Sequence, residues 1–459
     1  MTQQKLEKRL FGTNGVRGVV GREMTPELAL KIGAALGSEV QGPVAVGRDS
    51  RTSGESLGAA LKAGLMACGC DVLEMGILPT PALQYLVRGR LKGGAMITAS
   101  HNPPEYNGVK VIDEDGTEMD DVSTLRIEDR IFHDRFVLVP WDEVGMEERS
   151  PALVEEYIRG VAGHFPRNMG EGLLVAIDPG SGAGSYTTPL ILSRIGCRAL
   201  TINATMDGTF SGRLPEPSRE GLEGLAALVT SAKAAFGVAH DGDADRTVFI
   251  DDQGQYVEEN REFALIARFL CREKRGMVVM PVSTSLLVEE VVRSMGNDVD
   301  YTPVGSIYVA RRMMELQKKG IEVVMGGEGN GGLIYPGHQF CRDGAMTAAV
   351  MTRILTTTKK TLSSLLEELP QYFMIKEKIT TTHGREVLRS LDTTFSGDRL
   401  DRTDGIKIVR DQSWALVRVS GTEPMIRITA ESNRKQNAED LYNEVLHTVE
   451  KALKEAGDL

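Results

Sequence analysis

The chain has 459 residues, 41% of them hydrophobic and 25% charged, with 64 acidic against 53 basic side chains and a net charge of −11. That length suits about three domains with cores of their own, and the acidic balance excludes general binding to nucleic acid or to an anionic membrane surface, though not a local basic site for a small anion. No apolar run reaches the roughly 18–20 residues of a membrane span, MTQQKLEKRLFGT lacks the apolar centre of a signal peptide, and five scattered cysteines without a C-x-x-C pair read as reduced, structural thiols of a cytoplasmic chain, Cys68-Gly-Cys70 being at most half a metal site.

Short apolar runs alternate with helical patterns from residue 43 onward. PVAVGRDS reads as a strand and turn, ESLGAALKAGLMACG as a helix, CDVLEMG as a strand, PTPALQYLVRG as a helix and GGAMITAS as a strand. The alternation implies βαβ units and mostly parallel sheets. It restarts near 172 with LLVAIDPGSGAGS, the helix YTTPLILSRIG and the strand CRALTINA, and closes on FGVAHDGDADRTVFID. A third round runs from the helix REFALIARFLCREK to IEVVMGGEGNGGLIYP, followed by a helical stretch around 344–369 that closes at Pro370. The tail differs: KEKITTT, IKIVR, WALVRVS and MIRITAES alternate as strands, and KQNAEDLYNEVLHTVEKALKEAG is an amphipathic helix. The fold expected is α/β: three consecutive mixed-sheet α/β domains of similar architecture and a smaller C-terminal α+β domain around a central cleft. The boundaries are 1–152, 153–252, 253–368 and 369–459. In open α/β sheets ligands bind beyond the carboxyl ends of the strands, where the polar turns of all three rounds sit.

HDGDADRTV (240–248) places carboxylates at 241, 243 and 245, with only Gly242 and Ala244 between them. Three aspartates on a short loop suit a hard divalent cation, and magnesium prefers few protein carboxylates plus phosphate; a solvated acidic turn is the plain alternative. Asp243-Ala-Asp245-Arg-Thr247 also reads D-x-D-x-T, the pattern of an aspartyl nucleophile in haloacid-dehalogenase-type phosphatases, but out of register with its strand. In ITASHNPPEYNGVKV, Ser100 ends a buried strand ahead of Pro103 and Pro104, which cannot extend a ladder. Ser100 and His101 are adjacent on an extended chain and so point apart, and no G-x-S-x-G elbow is present. A phosphoryl acceptor stiffened by the prolines, or a capping serine, are the two readings of Ser100. GGEGNGG (326–332) lets backbone approach a ligand, with Glu328 and Asn330 able to read hydroxyls. RVSGTEPMIR (418–427) brings Arg418 and Arg427 together with Ser420, Gly421 and Thr422, which is either a phosphate cradle or a strand-turn-strand with surface arginines. RLFGTNGVRGVV and AVGRDSRTSG add Arg17, Arg48 and Arg51 beside glycines.

Taken in order, FGTNGVRG, TASHNPPEYNGVK, DGDADR, GEGNGG and RVSGTEPMIR resemble the α-D-phosphohexomutase family over essentially the whole chain. The resemblance implies four domains and a phosphosugar mutase interconverting hexose 6-phosphate and hexose 1-phosphate. It makes Ser100 the phosphoserine, with His101 beside it in the catalytic group. Asp241, Asp243 and Asp245 become ligands of one Mg2+, the Ser100 phosphate completing the site. Arg17 and Lys110 match family positions for proton transfer and charge stabilisation, Lys110 as general base with a pKa lowered by neighbouring cations. Arg246, Thr302, Gly305, Glu328, Asn330, Arg418, Ser420, Gly421, Thr422 and Arg427 fall in substrate-binding segments. The implied partners are a phosphosugar and a hexose 1,6-bisphosphate activator, with no nucleic acid and no membrane, in a monomer or homodimer. Many members carry G-E-x-S-G-H in the sugar loop; here Asn330 stands for Ser and Gly332 for His, and Ile307 stands where a Lys is common. These variants and FGTNGVRG resemble phosphoglucosamine mutases of archaeal type, with phosphomannomutase/phosphoglucomutase as the alternative. An aspartyl-phosphate phosphotransferase and a non-catalytic phosphosugar-binding protein are the remaining readings.

Overall fold

Apolar strands closed by glycine-rich turns build four sheets in a computed structural model, which describes residues 8–12, 15–420 and 424–458. The chain divides into two compact units, Met1–Glu259 with Asn330–Leu365, and Asn260–Gly329 with Leu366–Leu459.

The first unit holds a six-stranded sheet in the order Val16–Val19, Tyr106–Asp113, Gly93–Ile97, Val44–Arg48, Val72–Ile77 and Glu147–Arg149. The last four run parallel, and Tyr106–Asp113 runs antiparallel to both of its neighbours. Val44–Arg48 and Gly93–Ile97 read as nearly unbroken apolar runs because they are buried along their length. Val44, Val46, Ala95, Ile97, Val109 and Val111 share a core with the helices Pro26–Val40, Gly54–Ala67 and Asp121–Phe132. A second sheet orders Thr247–Ile250, Phe236–His240, Leu174–Asp178 and Arg198–Thr201, the last three parallel. Phe236–His240 and Thr247–Ile250 form an antiparallel hairpin with His240 opposite Thr247, so residues 241–246 are its connecting loop. Helix Gly344–Thr358 starts on Asp343, which accepts from Met346 N at 3.0 Å, and stops at Lys359 in the left-handed region (φ 56). The single helical stretch expected over 344–369 is therefore two helices, the second being Leu362–Glu367.

In the second unit Met277–Pro281 pairs in parallel with Asp298–Thr302 and with Val323–Glu328. The C-terminal sheet, in the order Phe373–Thr380, Met425–Ser432, Ser413–Val419, Ile406–Arg410 and Arg399–Asp401, is antiparallel throughout. Helix Lys435–Ala456 covers it because Ala438, Leu441, Val445, Val449, Ala452 and Leu453 recur at three- and four-residue steps and bury one stripe against Ile408, Val417, Ile426 and Ile428. Gly457 (φ 81) ends it.

Candidate active site

Ser100 lies three residues beyond strand Gly93–Ile97, almost fully buried, at φ 53. A non-glycine residue in that region costs roughly 1–2 kcal/mol, and a polar frame holds it there. Ser100 N donates to Thr98 Oγ1 at 2.8 Å, and Thr98 Oγ1 donates to Asp49 Oδ2 at 2.6 Å. Arg51 is fully buried and pairs through Nε with Asp49 Oδ2 at 3.1 Å. Its other nitrogens donate to the carbonyls of Ser100 (2.9 Å), Asn102 (2.6 Å), Pro103 (2.7 Å) and Tyr106 (2.9 Å). Pro103 thus contributes an acceptor to a frame centred on Arg51. The expectation that Ser100 and His101 point apart on extended chain is corrected: with Ser100 left-handed, its Oγ lies 3.5 Å from His101 Nδ1. Burial, followed by the cations of Arg246 and Arg17, pushes the His101 pKa down, so its ring is neutral at pH 7.

The hairpin loop 241–246 faces this serine. Asp241, Asp243 and Asp245 are buried, and one ligand atom from each lies within 4.8 Å of the others, the one such trio among the described residues. Asp241 Oδ2 accepts from Ser100 Oγ at 2.7 Å and from Arg246 Nε at 3.1 Å. Asp243 Oδ2 accepts from Thr80 Oγ1 at 2.6 Å and Lys110 Nζ at 2.7 Å. Asp245 Oδ2 accepts from Lys110 Nζ at 3.0 Å and from an Arg342 Nη at 2.7 Å. Oδ1 of Asp243 and Oδ1 of Asp245 are buried with no hydrogen-bond partner. Buried carboxylate oxygens left unpaired are costly; two of them in one acidic trio fit a hard divalent cation. Burial, then Asp243 and Asp245, push the Asp241 pKa up to about 7. Burial also opposes charge on Asp245, but Arg342, Lys110 and Arg246 outweigh it and hold that carboxyl well below its usual range. Lys110 reverses the expectation of a lowered pKa. Burial disfavours its charge, yet Asp243 and Asp245 outweigh burial and hold the ammonium above its ordinary value.

Arg17, on strand Val16–Val19 opposite Gly108, donates to Asn102 Oδ1 at 3.1 Å. Arg246 reaches Glu216 with both terminal nitrogens, at 3.3 and 3.2 Å. Glu118 adds another carboxyl to the charge cluster, raised by burial and opposed by Lys110 and Arg342. Thr247 Oγ1 donates to Gly344 O at 2.9 Å and lies 3.1 Å from His240 Nδ1. It is engaged behind the loop, which leaves the D-x-D-x-T pattern without its threonine. Asn330 begins the segment that returns to this unit, where Thr247 N donates to Gly331 O at 2.8 Å.

The second unit carries the other expected residues. Glu328 is buried at the end of its strand. Gly305 (φ 139) precedes helix Ser306–Lys318, and Thr302 ends the strand before it. Asp404 ties this turn to the last sheet: its Oδ2 accepts from Val304 N at 2.9 Å and pairs with Arg418 Nε at 2.9 Å. Arg418 stands opposite Arg427, and Arg427 opposite Lys378, on adjacent strands. Directly opposed residues share a face, so three cations form one row, an arrangement that repels itself unless carboxylates or an anion meet it. Ser420 N donates to Met425 O at 2.9 Å across the turn. Gly421 and Thr422 lie outside the described residues. Sequence reasoning missed Thr80, Glu216, Arg342, Asp404 and Lys378, each brought in by a distant part of the chain.

Four family models of phosphoglucomutase/phosphomannomutase match the chain in order: alpha/beta/alpha domain I over residues 8–138, domain II over 155–254, domain III over 258–373 and the C-terminal domain over 363–448. The chain belongs to the α-D-phosphohexomutase family. As a phosphohexomutase it is an isomerase that works by intramolecular phosphotransfer. It is 40% identical to a phosphoglucomutase/phosphomannomutase of Thermococcus kodakarensis, over 97% of this chain and 99% of that one. It is 39% identical to a probable phosphoglucosamine mutase of Methanopyrus kandleri, again over 97% and 99%. A crystal structure of a phosphoglucomutase/phosphomannomutase family protein from Burkholderia thailandensis superposes with a TM-score of 0.84 at 25% identity, covering 97% of each chain. Among the described residues of this phosphohexomutase, no helix is long and apolar enough to cross a membrane.

Proposed function

We propose that this phosphohexomutase interconverts glucosamine 6-phosphate and glucosamine 1-phosphate by passing a phosphoryl group through Ser100. The observation that carries the reading is the placement of Ser100 Oγ 2.7 Å from Asp241, at the edge of a buried carboxylate trio with two oxygens left over. Asp241, Asp243 and Asp245 would hold one Mg2+ per chain, which supplies charge neutralisation for the phosphoryl group.

In the cycle, a hydroxyl oxygen of the monophosphorylated sugar attacks the phosphorus carried on Ser100. The new P–O bond forms as the P–Oγ bond breaks, the sugar hydroxyl gives up its proton and Ser100 Oγ takes one back. The hexose 1,6-bisphosphate turns end for end and returns its other phosphoryl group to Ser100 by the same step in reverse. Phosphoryl transfer needs positioning and charge balance more than covalent help. Arg51 and the Asp49–Thr98 pair fix Ser100, Arg246 sits beside the acceptor, and Arg17 adds positive charge from the neighbouring strand. Lys110, an ammonium between Asp243 and Asp245, is able to act as a base only after giving up its proton, a change that cation binding to those carboxylates favours. His101, held neutral, is a second group able to carry a proton near Oγ. Thr302, Gly305, Glu328 and Asn330 would contact the sugar and its phosphate. Arg418, Ser420, Gly421, Thr422 and Arg427 would grip the phosphate that does not react, and the cationic row containing Arg418 and Arg427 supports that assignment.

The division at 152/153, 252/253 and 368/369 and a cytoplasmic chain, monomer or homodimer, complete the reading; the five buried cysteines without disulfides support the reducing compartment. A second reading, a phosphomannomutase/phosphoglucomutase, is favoured by the Thermococcus relative. Turnover on the 1-phosphates of glucosamine, glucose and mannose, with magnesium and the matching bisphosphate, separates the two. A preference for glucosamine supports the first, a preference for mannose or glucose the second. Loss of all three turnovers in Ser100→Ala is expected under both.

A further inference from the structure

Gly332 and Arg342 compete for one volume. A Cβ built on Gly332 would lie 2.3 Å from Cδ and 2.9 Å from Cγ of Arg342, distances that real side chains do not reach. Strand Gly332–Ile334 returns past Arg342, bridging to it through Ile334, and Asp343 N donates to Leu333 O at 3.1 Å. The stem of Arg342 therefore crosses the bare face of Gly332, and its guanidinium arrives on Asp245 Oδ2 at 2.7 Å with 5% of the arginine exposed. The same hairpin is bolted to the aspartate loop by Thr247 N to Gly331 O (2.8 Å), Gly344 N to Ala244 O (3.2 Å) and Thr247 Oγ1 to Gly344 O (2.9 Å). Arg342 thus has a fixed platform from which to hold Asp245.

That hold has a chemical consequence. Asp245 Oδ2 is covered by Arg342 and by Lys110, which it shares with Asp243, while Asp243 Oδ2 is covered by Thr80 and Lys110. Asp243 and Asp245 each have one oxygen to offer, Oδ1. Single-oxygen carboxylates suit a small octahedral ion such as Mg2+, whereas Ca2+ takes more oxygens and often both from one carboxylate. We infer that Arg342 is a positioning residue that, with Lys110 on the same oxygen, sets the cation selectivity of the aspartate trio by denying Asp245 a two-oxygen contact, and that residue 332 is glycine because the arginine stem needs its space. This rests on the reading of Asp241, Asp243 and Asp245 as the cation site.

Calorimetric titration of the full-length, chelator-stripped protein with MgCl2 and with CaCl2 tests it, since the ratio of the two affinities is insensitive to a general loss of charge or stability. Arg342→Met should raise the Ca2+-to-Mg2+ affinity ratio about tenfold, the scale of second-layer effects on metal sites. Arg342→Lys should restore most of the wild-type ratio. Gly332→Ala, which displaces the arginine, should shift the ratio in the same direction, and adding it to Arg342→Met should change nothing further. An unchanged ratio in Arg342→Met, with Asp243→Asn having lost both ions, refutes the role of Arg342 and leaves the site standing. Wild-type binding of both ions by Asp243→Asn refutes the site and the inference with it.

Discussion

Arg51 and Ser100 are joined by a hydrogen bond of 2.9 Å from the guanidinium to the Ser100 carbonyl, and the same guanidinium holds three further carbonyls of the loop. The proposed phosphoryl carrier is therefore fixed through its backbone, by an arginine that never touches its hydroxyl. Replacing Arg51 with Met leaves Asp49 as an uncompensated buried charge and frees the loop. The expected loss of stability is about 3–5 kcal/mol. In the fraction that folds, kcat should fall about a hundredfold through misplacement of Oγ. Chemical denaturation and steady-state rates check the two halves separately.

Cation binding should stabilise the first unit. The unpaired Oδ1 atoms of Asp243 and Asp245 and the mutual repulsion that lifts Asp241 are relieved only in the folded protein. At a hundred times its dissociation constant, Mg2+ should add about 2.7 kcal/mol to unfolding. Thermal melts with and without chelator should differ in the wild type and coincide in Asp243→Asn.

Lys407 sets a pH dependence in the second unit. It is buried against Trp414 and Tyr301 and donates to Val282 O at 2.6 Å. Burial pushes its pKa down to about 8 from 10.5, with Asp401 and Glu431 opposing. The unfolded chain holds this proton to higher pH than the folded one, so the contribution to stability rises between about pH 8 and 10.5, by about 3 kcal/mol. The difference between wild type and Lys407→Met in denaturant unfolding should grow across that window in favour of the wild type, and be flat below it.

Arg427 should matter more to function than to folding. It stands between Arg418 and Lys378 in register. Arg427→Gln should change stability by no more than about 1 kcal/mol, since the row loses one like charge while Arg418 keeps Asp404. It should raise KM for the sugar phosphate about tenfold or more through loss of a charged hydrogen bond. A fall in stability together with an unchanged KM would assign the arginine to the fold alone.

Much of this architecture is written locally. The strands at 44–48, 93–97 and 236–240 show as apolar runs closed by turns, and the aspartate trio shows as a six-residue loop. Helix Pro26–Val40 carries equally local signals, with Thr25 as its cap and a proline at its start, although the expected alternation begins only at residue 43. Glu147–Arg149 is exposed along its length and so carries no apolar signal, whereas helix Gly384–Thr394, with Val387, Leu388, Leu391 and the following Phe395 on one stripe, is locally legible although absent from the expected elements. The partners of the trio were illegible for a different reason. Thr80 meets Asp243 across 163 residues and Arg342 meets Asp245 across 97, contacts that only the folded chain creates. The direction of the Lys110 shift failed because neighbouring arginines are visible in sequence, whereas the two carboxylates that clasp its ammonium are visible only once strand Tyr106–Asp113 and the 241–246 loop are in place.

Phosphoryl transfer through Ser100 requires a phosphoserine on the enzyme. Incubating the protein with radiolabelled hexose 1,6-bisphosphate, then mapping the labelled peptide before and after hydroxylamine, tests it directly. A hydroxylamine-resistant label on the peptide containing Ser100, absent from Ser100→Ala, is the result expected. A label on the peptide containing Asp241, Asp243 and Asp245 that hydroxylamine removes would contradict it.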